Sequence, residues 1–252
     1  MPNPRVVSLD KIKVACQNCT LSALCLPLGL KEADVEKLDQ IVKRSRPIQR
    51  GEALFHIGDP FQNIYAVKTG SFKTFVQSAD GGEQVLGFHL PGELIGLDAI
   101  LDNQHGCSAK ALETSSICKI PFLQLETLAT QLPSLQHQVF RLMSGEISKD
   151  TNMLMLLGNR SADERLATFL LSLSRRLAQR GFSATEFNLS MSRHDIASYL
   201  GLAVETVSRL FTRMQQEGLL QVDRKFVRLL DMDRLDELCE KNPHCHGRQL
   251  LP

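Results

Sequence analysis

The chain has 252 residues, 43% hydrophobic and 23% charged, with a formal net charge of +1. This balance excludes a disordered chain, which needs few apolar residues and a large net charge. No run approaches the ~18 apolar residues of a membrane span. The length, about 1.7 times a typical domain, suggests one large domain or two ordinary ones. Residues 1–13 show no apolar segment followed by a small-residue cleavage site, so no secretory signal is expected. A cytoplasmic protein is expected, its seven cysteines serving as reduced thiols, metal ligands or catalytic groups.

Residues 1–30 hold three cysteines, Cys16, Cys19 and Cys25. Residues 31–45 read as an amphipathic helix with Val35, Leu38, Ile41 and Val42 on one face. Over 46–130 the period changes to short apolar or alternating runs: Ile64 to Val67, Phe72 to Val76 and Gln84 to Phe88. Gly58-Asp59-Pro60, Thr69-Gly70, Asp80-Gly81-Gly82 and Pro91-Gly92 punctuate them, and that rhythm predicts an all-β roll of the jelly-roll type. Residues 134–158, entered at Pro133 and stopped at Gly158-Asn159, read as one helix about 37 Å long. Helices are predicted over 162–180, 192–200 and 204–216, and short strands over 219–222 and 226–230. The expected fold class is therefore α+β. Its parts are a cysteine-rich segment (1–30), a β-roll (31–132), a long dimerisation helix (133–159), a winged helix-turn-helix (160–232) and a tail (233–252).

Ser192 and Asp195 form a capping-box pattern ahead of Ile196, Ala197 and Leu200, and Gly201 supplies a helix stop. The second helix puts Val204, Val207, Leu210, Phe211 and Met214 on one face and Glu205, Ser208, Arg209, Thr212 and Arg213 on the other. An Arg can make a bidentate contact to guanine, a Glu can accept from cytosine N4, and a Ser can approach a base edge. Residues 160–229 carry eleven Arg or Lys against seven Asp or Glu, so positive charge is concentrated here as phosphate binding needs. Arg224 and Lys225 stand at the tip of the predicted wing. The DNA-contacting set is thus Glu205, Ser208, Arg209, Arg213, Arg224 and Lys225.

On the long helix, Phe140, Met143, Ile147, Asp150, Leu154 and Leu157 follow a 3-4-3-4-3 spacing, the seam of a two-stranded coiled coil. Asp150 is the anomaly. Two such carboxylates about 5 Å apart, at an effective dielectric near 20, repel by about 3 kcal/mol.

Cys16, Cys19 and Cys25 form C-x₂-C-x₅-C. Three cysteines need a fourth ligand for an iron–sulfur cluster or tetrahedral zinc, and Cys107, Cys118, Cys239 and Cys245 are candidates. Cys107 also reads as an ordinary packed thiol, and Cys239, His244, Cys245 and His246 are assigned no function.

The order β-roll, long helix, winged helix-turn-helix resembles the cyclic-AMP receptor and fumarate–nitrate-reduction (CRP/FNR) superfamily of regulators. Its cyclic-nucleotide binders hold the cyclic phosphate with a Gly-Glu turn and a downstream Arg-Ser pair. Here the turn is Gly92-Glu93-Leu94-Ile95-Gly96, but Cys107-Ser108-Ala109 stands where the Arg would be. A buried phosphate without a cationic partner is costly, so no cyclic nucleotide is expected. The N-terminal cysteine spacing, together with Glu113-Thr114-Ser115-Ser116-Ile117-Cys118-Lys119-Ile120-Pro121, is similar to the oxygen-sensing FNR/ANR branch. The resemblance implies Cys118 as fourth ligand to a [4Fe–4S] cluster that oxygen converts to [2Fe–2S]. It further implies a homodimer when cluster-loaded, a TTGAT-type inverted repeat in double-stranded DNA, and RNA polymerase as partner. The dimer switch would comprise Met143, Ile147, Asp150, Leu154 and Leu157. Two alternatives stay open: a cyclic-nucleotide-type regulator with structural zinc, and an iron–sulfur or thiol enzyme. Against the enzyme, no Cys stands in a recognisable arrangement with a His and an acid, and the chain has no glycine-rich nucleotide fingerprint.

Overall fold

The computed structural model describes residues 15–77 and 81–240. Helix α1 spans Glu32–Ile41. Eight strands follow: β1 Lys43–Arg44, β2 Ala53–Phe55, β3 Asn63–Thr69, β4 Phe72–Gln77, β5 Glu83–His89, β6 Leu94–Ile95, β7 Ser108–Ala111 and β8 Ser116–Pro121. They form two antiparallel four-stranded sheets, ordered β1-β8-β3-β6 and β2-β7-β4-β5. One core joins the two sheets, with Phe55, Phe72 and Ala109 from one meeting Tyr65, Val67, Ile95 and Ile117 from the other. This is the expected β-roll.

The β1-β8-β3-β6 sheet is buried on both faces. Tyr65 and Val67 point into the sandwich. Ile64 and Ala66 point the other way, into a second core with Leu26, Leu38, Leu125 and Leu135. Successive strand residues face opposite sides. A strand covered on both sides therefore reads as the unbroken apolar run Ile64 to Val67.

Helices α2 (Phe122–Gln131) and α3 (Pro133–Asn159) close the roll, with Pro133 in the first turn of α3. The C-terminal half contains α4 (Ala162–Ala178), β9 (Glu186–Asn188), α5 (Arg193–Leu200), α6 (Val204–Gln216), β10 (Leu220–Asp223), β11 (Phe226–Leu229) and α7 (Met232–Glu240). Both α4 and α5 begin with capping boxes, Ser161–Glu164 and Ser192–Asp195. Gly201 ends α5 at φ 61°, a left-handed conformation favourable to glycine.

The structure corrects several sequence expectations. The first helix stops at Ile41 rather than 45, because Lys43 and Arg44 pair with Lys119 and Cys118 of β8. Helix α2 lies within the stretch read as all-β, and its apolar Leu125 and Leu128 at helical spacing were the available signal. The wing is a three-stranded sheet, β10-β11-β9, because β9 pairs with β11 through Phe187 and Val227. Residues 233–240 of the presumed tail belong to α7, whose Leu235 and Cys239 are buried against α4. His244, Cys245 and His246 lie outside the described residues, as does the stretch 1–13.

Helix α3 is divided by burial. Leu135 is fully buried, whereas Phe140, Ile147 and Leu154 are 60%, 66% and 73% exposed. Leu135→Ala should therefore cost the single chain about 2–5 kcal/mol, while Ile147→Ala should leave the monomer's urea midpoint nearly unchanged. Equilibrium denaturation of the two variants under dilute, monomeric conditions checks this contrast.

Candidate metal centre and nucleic-acid interface

Two short 3-10 turns, Cys16–Asn18 and Ser22–Leu24, fold the N-terminal segment back on itself beside α1. Cys16, Cys19 and Cys25 thereby line one apolar recess. Its opposite wall is β8. Strand alternation that sends Ile117 into the sandwich sends Cys118 outward, so Cys118 lines the same recess. Ala66 is registered opposite Cys118 on β3, and its small side chain leaves the space open. The thiols feel one another: Cys118 interacts electrostatically with Cys16, Cys19 and Cys25.

Burial pushes the Cys16 thiol up to about 12, reinforced by a hydrogen bond to the Asp39 carboxylate. Burial also drives Cys25 up to about 12. Burial raises Cys118 too, offset in part by Arg44 and Lys68. Burial alone would raise Asp39, but donation from Cys16 and Arg44 outweighs it and holds the carboxyl below its usual range. The Cys16 amide donates to Asp39 Oδ1 at 2.9 Å, and Arg44 Nη2 donates to the same oxygen at 2.5 Å. Burial therefore favours neutral thiols, and metal uptake would release protons.

The donor set is four soft sulfurs, and Lys68 is the charged residue lining the recess among the described residues. No three described His, Cys, Asp or Glu are gathered closely enough for a single metal ion. The four thiols line one recess, and four thiolates are the ligand number that a [4Fe–4S] cluster or a tetrahedral zinc takes. Cys107 stands apart in the sandwich core, its thiol donating to Asp98 Oδ2 at 3.5 Å. Cys239 is buried against Thr168.

The cyclic-nucleotide position is also altered. Glu93 of the Gly-Glu turn is occupied by Arg176 and Arg180 of α4, at 2.6 and 2.7 Å. Cys107 presents the Asp98 carboxylate rather than a guanidinium. Sequence reading missed the Glu93 pairing, since no local pattern links residues more than eighty positions apart.

In the helix-turn-helix, Val207, Leu210, Phe211 and Met214 of α6 are buried. Glu205, Ser208, Arg209, Thr212 and Arg213 are all exposed. Arg213 turns back to pair with Asp163 of α4, so it is less available than Arg209. Arg193, missed from sequence, lays its guanidinium 3.2 Å over the Phe211 ring and braces α5 against α6. Arg224 and Lys225 are exposed at the wing tip, Arg224 in the left-handed conformation at φ 55°. Among the seam residues, Met143 and Leu157 are half-buried, and Phe140, Ile147, Asp150 and Leu154 are exposed. No helix among the described residues is long and apolar enough to cross a membrane.

A β-roll joined by one long helix to a winged helix-turn-helix defines a regulator whose DNA-binding head is tied to a separate β domain. Comparison with known proteins agrees. Residues 45–131 match the cyclic nucleotide-binding domain and residues 164–238 the Crp-like helix-turn-helix domain. The chain is 55% identical to the transcriptional activator protein Anr of Pseudomonas protegens over 216 residues, covering 86% of this chain and 88% of that protein. It is 48% identical to the fumarate and nitrate reduction regulatory protein of Escherichia coli over 225 residues, 89% and 90% of the two chains. Its fold matches FixK2 from Bradyrhizobium japonicum with a TM-score of 0.73 and 31% identity, over 79% of this chain and 97% of that one. The chain belongs to the CRP/FNR family of transcription regulators, as a member of FNR/ANR type, and is a DNA-binding regulator rather than an enzyme.

Serine in place of Cys16, Cys19, Cys25 or Cys118 should each remove most bound iron after anaerobic reconstitution, whereas Cys107→Ser and Cys239→Ser should retain it. Iron and sulfide analysis of the six proteins checks this.

Proposed function

We propose that this chain is an oxygen-responsive transcription regulator acting in the cytoplasm. The observation that carries this reading is the shared recess, where Cys16, Cys19 and Cys25 of the N-terminal segment face Cys118 of β8. When bound by these four thiolates, a [4Fe–4S] cluster would supply chemistry that oxygen destroys.

The chain's own residues would convert cluster occupancy into DNA binding. Leu26, Cys16, Cys25 and Cys118 belong to the same core as Leu135, Val139 and Leu142 of α3. Gln138, also buried on α3, donates to the Cys25 carbonyl at 3.3 Å. Ordering the N-terminal segment thus bears directly on the helix that carries the seam. A second copy would bury Phe140, Met143, Ile147, Leu154 and Leu157 against their counterparts, while the paired Asp150 carboxylates oppose it by about 3 kcal/mol. That repulsion leaves dimerisation marginal enough for a change at the recess to decide it.

In the dimer, Glu205, Ser208 and Arg209 read a TTGAT-type half-site, and Arg224 and Lys225 hold phosphates. Arg213, already paired with Asp163, takes a secondary part. RNA polymerase is the expected protein partner. No cyclic nucleotide is needed: Arg176 and Arg180 occupy Glu93, and Asp98 at Cys107 would repel a phosphate.

Visible absorbance and metal analysis test the cofactor. Protein purified without air should be brown, contain iron and sulfide, and bleach on aeration; a colourless zinc protein would overturn the reading. The switch is tested by sedimentation with and without oxygen. Asp150→Ala should dimerise and bind the inverted repeat in air, a shift of about a hundredfold in the dimerisation constant. An Asp150→Ala protein that stays monomeric in air would show that the charge pair is not what holds the subunits apart. For base reading, Arg209→Ala should cost about 1–3 kcal/mol and relax the preference at its guanine pair in a binding-site selection. Arg224→Ala and Lys225→Ala should weaken all sequences alike and lower the salt slope.

A further inference from the structure

Strand β5 is the outer edge of its sheet. An edge strand leaves a row of backbone N–H and C=O groups without strand partners. Here the DNA-binding domain supplies them. Ser198 of α5 donates its hydroxyl to the Glu83 carbonyl at 2.6 Å and accepts from the Val85 amide at 2.8 Å. The Gln84 side chain donates to the Ser198 carbonyl at 2.7 Å. Farther along, Arg176 donates to the Phe88 carbonyl at 2.5 Å and Arg180 to the Pro91 carbonyl at 2.6 Å.

Buried charges lie at both ends of this seam. Lys73 of β4 is 6% exposed and reaches Asp195 of α5 at 2.6 Å, while also pairing with Glu83. Asp195 is the carboxylate of the α5 capping box, so one side chain both starts the helix and anchors it to the roll. At the other end Glu93 is held by Arg176 and Arg180. Phe88, Phe169 and Tyr199 pack between the two, with ring centroids 5.0 to 5.9 Å apart.

The covalent link between α3 and α4 is much slighter, the two residues Arg160 and Ser161. Arg165 ties this link to the Leu157 carbonyl at 2.7 Å, but at the pivot, where it gives little leverage over the far end of the domain. The β5 seam lies away from the pivot and across α4 and α5. We propose that Lys73, Ser198 and Glu93 are positioning residues for DNA recognition, fixing the orientation of each reading head so that the dimer selects the spacing between half-sites. The inference rests on the reading of this chain as a dimer on an inverted repeat. One added base pair moves a half-site by about 3.4 Å and turns it by about 35°. A head held along β5 cannot follow that movement without breaking the seam; a head held only near the pivot, by residues 160–161 and the packing of Met153 and Leu156, can.

The test uses full-length protein purified without air and bound to inverted repeats whose spacer is optimal, one base pair longer or one shorter, and to a single half-site. The variants are Ser198→Ala and the double variant Lys73→Met/Asp195→Asn, which neutralises both buried partners instead of stranding one charge. The wild type should lose at least about tenfold in affinity on either altered spacer, the scale of one mismatched base pair. Both variants should lose less than about threefold on that same scale, with half-site affinity unchanged. Ser198→Ala, which strands no charge, carries the test if the double variant does not fold. Retention of tenfold discrimination by a folded variant overturns the proposal, as does an equal loss on half-site and full site, which would mark damage to the head itself. Failure of the wild type to bind any inverted repeat would instead sink the underlying functional reading.

Discussion

Helix α3 belongs to two hydrophobic cores at once, and the rest of the architecture depends on that. Leu135, Val139 and Leu142 pack with the cysteine segment and the outer face of the roll. Met153 and Leu156 pack with the helix-turn-helix. Between and around these anchors, Phe140, Ile147 and Leu154 remain open to solvent. A rigid rod held at both ends transmits displacement along its length. Its uncovered stripe offers a second chain a surface that the monomer cannot bury by itself. The cysteine recess, the open stripe and the helix-turn-helix thus meet on one element.

The second organising feature is a sheet with no solvent face. Because the β1-β8-β3-β6 sheet is covered on both sides, alternation along β8 carries Ile117 to the sandwich and Cys118 to the cysteine recess. The roll's interior holds Cys107 and Asp98 where phosphate would be repelled, and its Gly-Glu turn holds two arginines from α4. In a roll that matches the cyclic nucleotide-binding domain, the four clustered cysteines lie on the outer face of one sheet. The Gly-Glu turn sits at a junction between domains.

That junction also settles a liability of the roll. Edge strands are templates for unwanted pairing, and β5 is covered by α4 and α5 rather than left to solvent. Finishing the sheet and orienting the reading head are accomplished by the same hydrogen bonds, so a change in either affects both.

Much of this was legible in the sequence because it is governed by local rules. The helix-turn-helix followed from apolar spacing, from the Ser192 and Asp195 capping pattern and from Gly201, each a contact within a few residues. Helix α3 followed from its apolar periodicity between Pro133 and Gly158, and the roll from short runs between turn residues. The three N-terminal cysteines declared themselves by spacing, while Cys118 was reached through family resemblance and not through any local signal. What sequence could not supply were pairings set by the folded chain. The end of α1 at Ile41 was decided by β8, nearly eighty residues on. Strand β9 exists because β11 offers it a partner, and α7 because α4 offers its apolar side a place to be buried. Asp39 at Cys16, Lys73 at Asp195 and the arginines at Glu93 join residues separated by about twenty to more than a hundred positions. Periodicity tells which face of an element is apolar. Which element covers that face, and which charge meets which, is decided by tertiary packing.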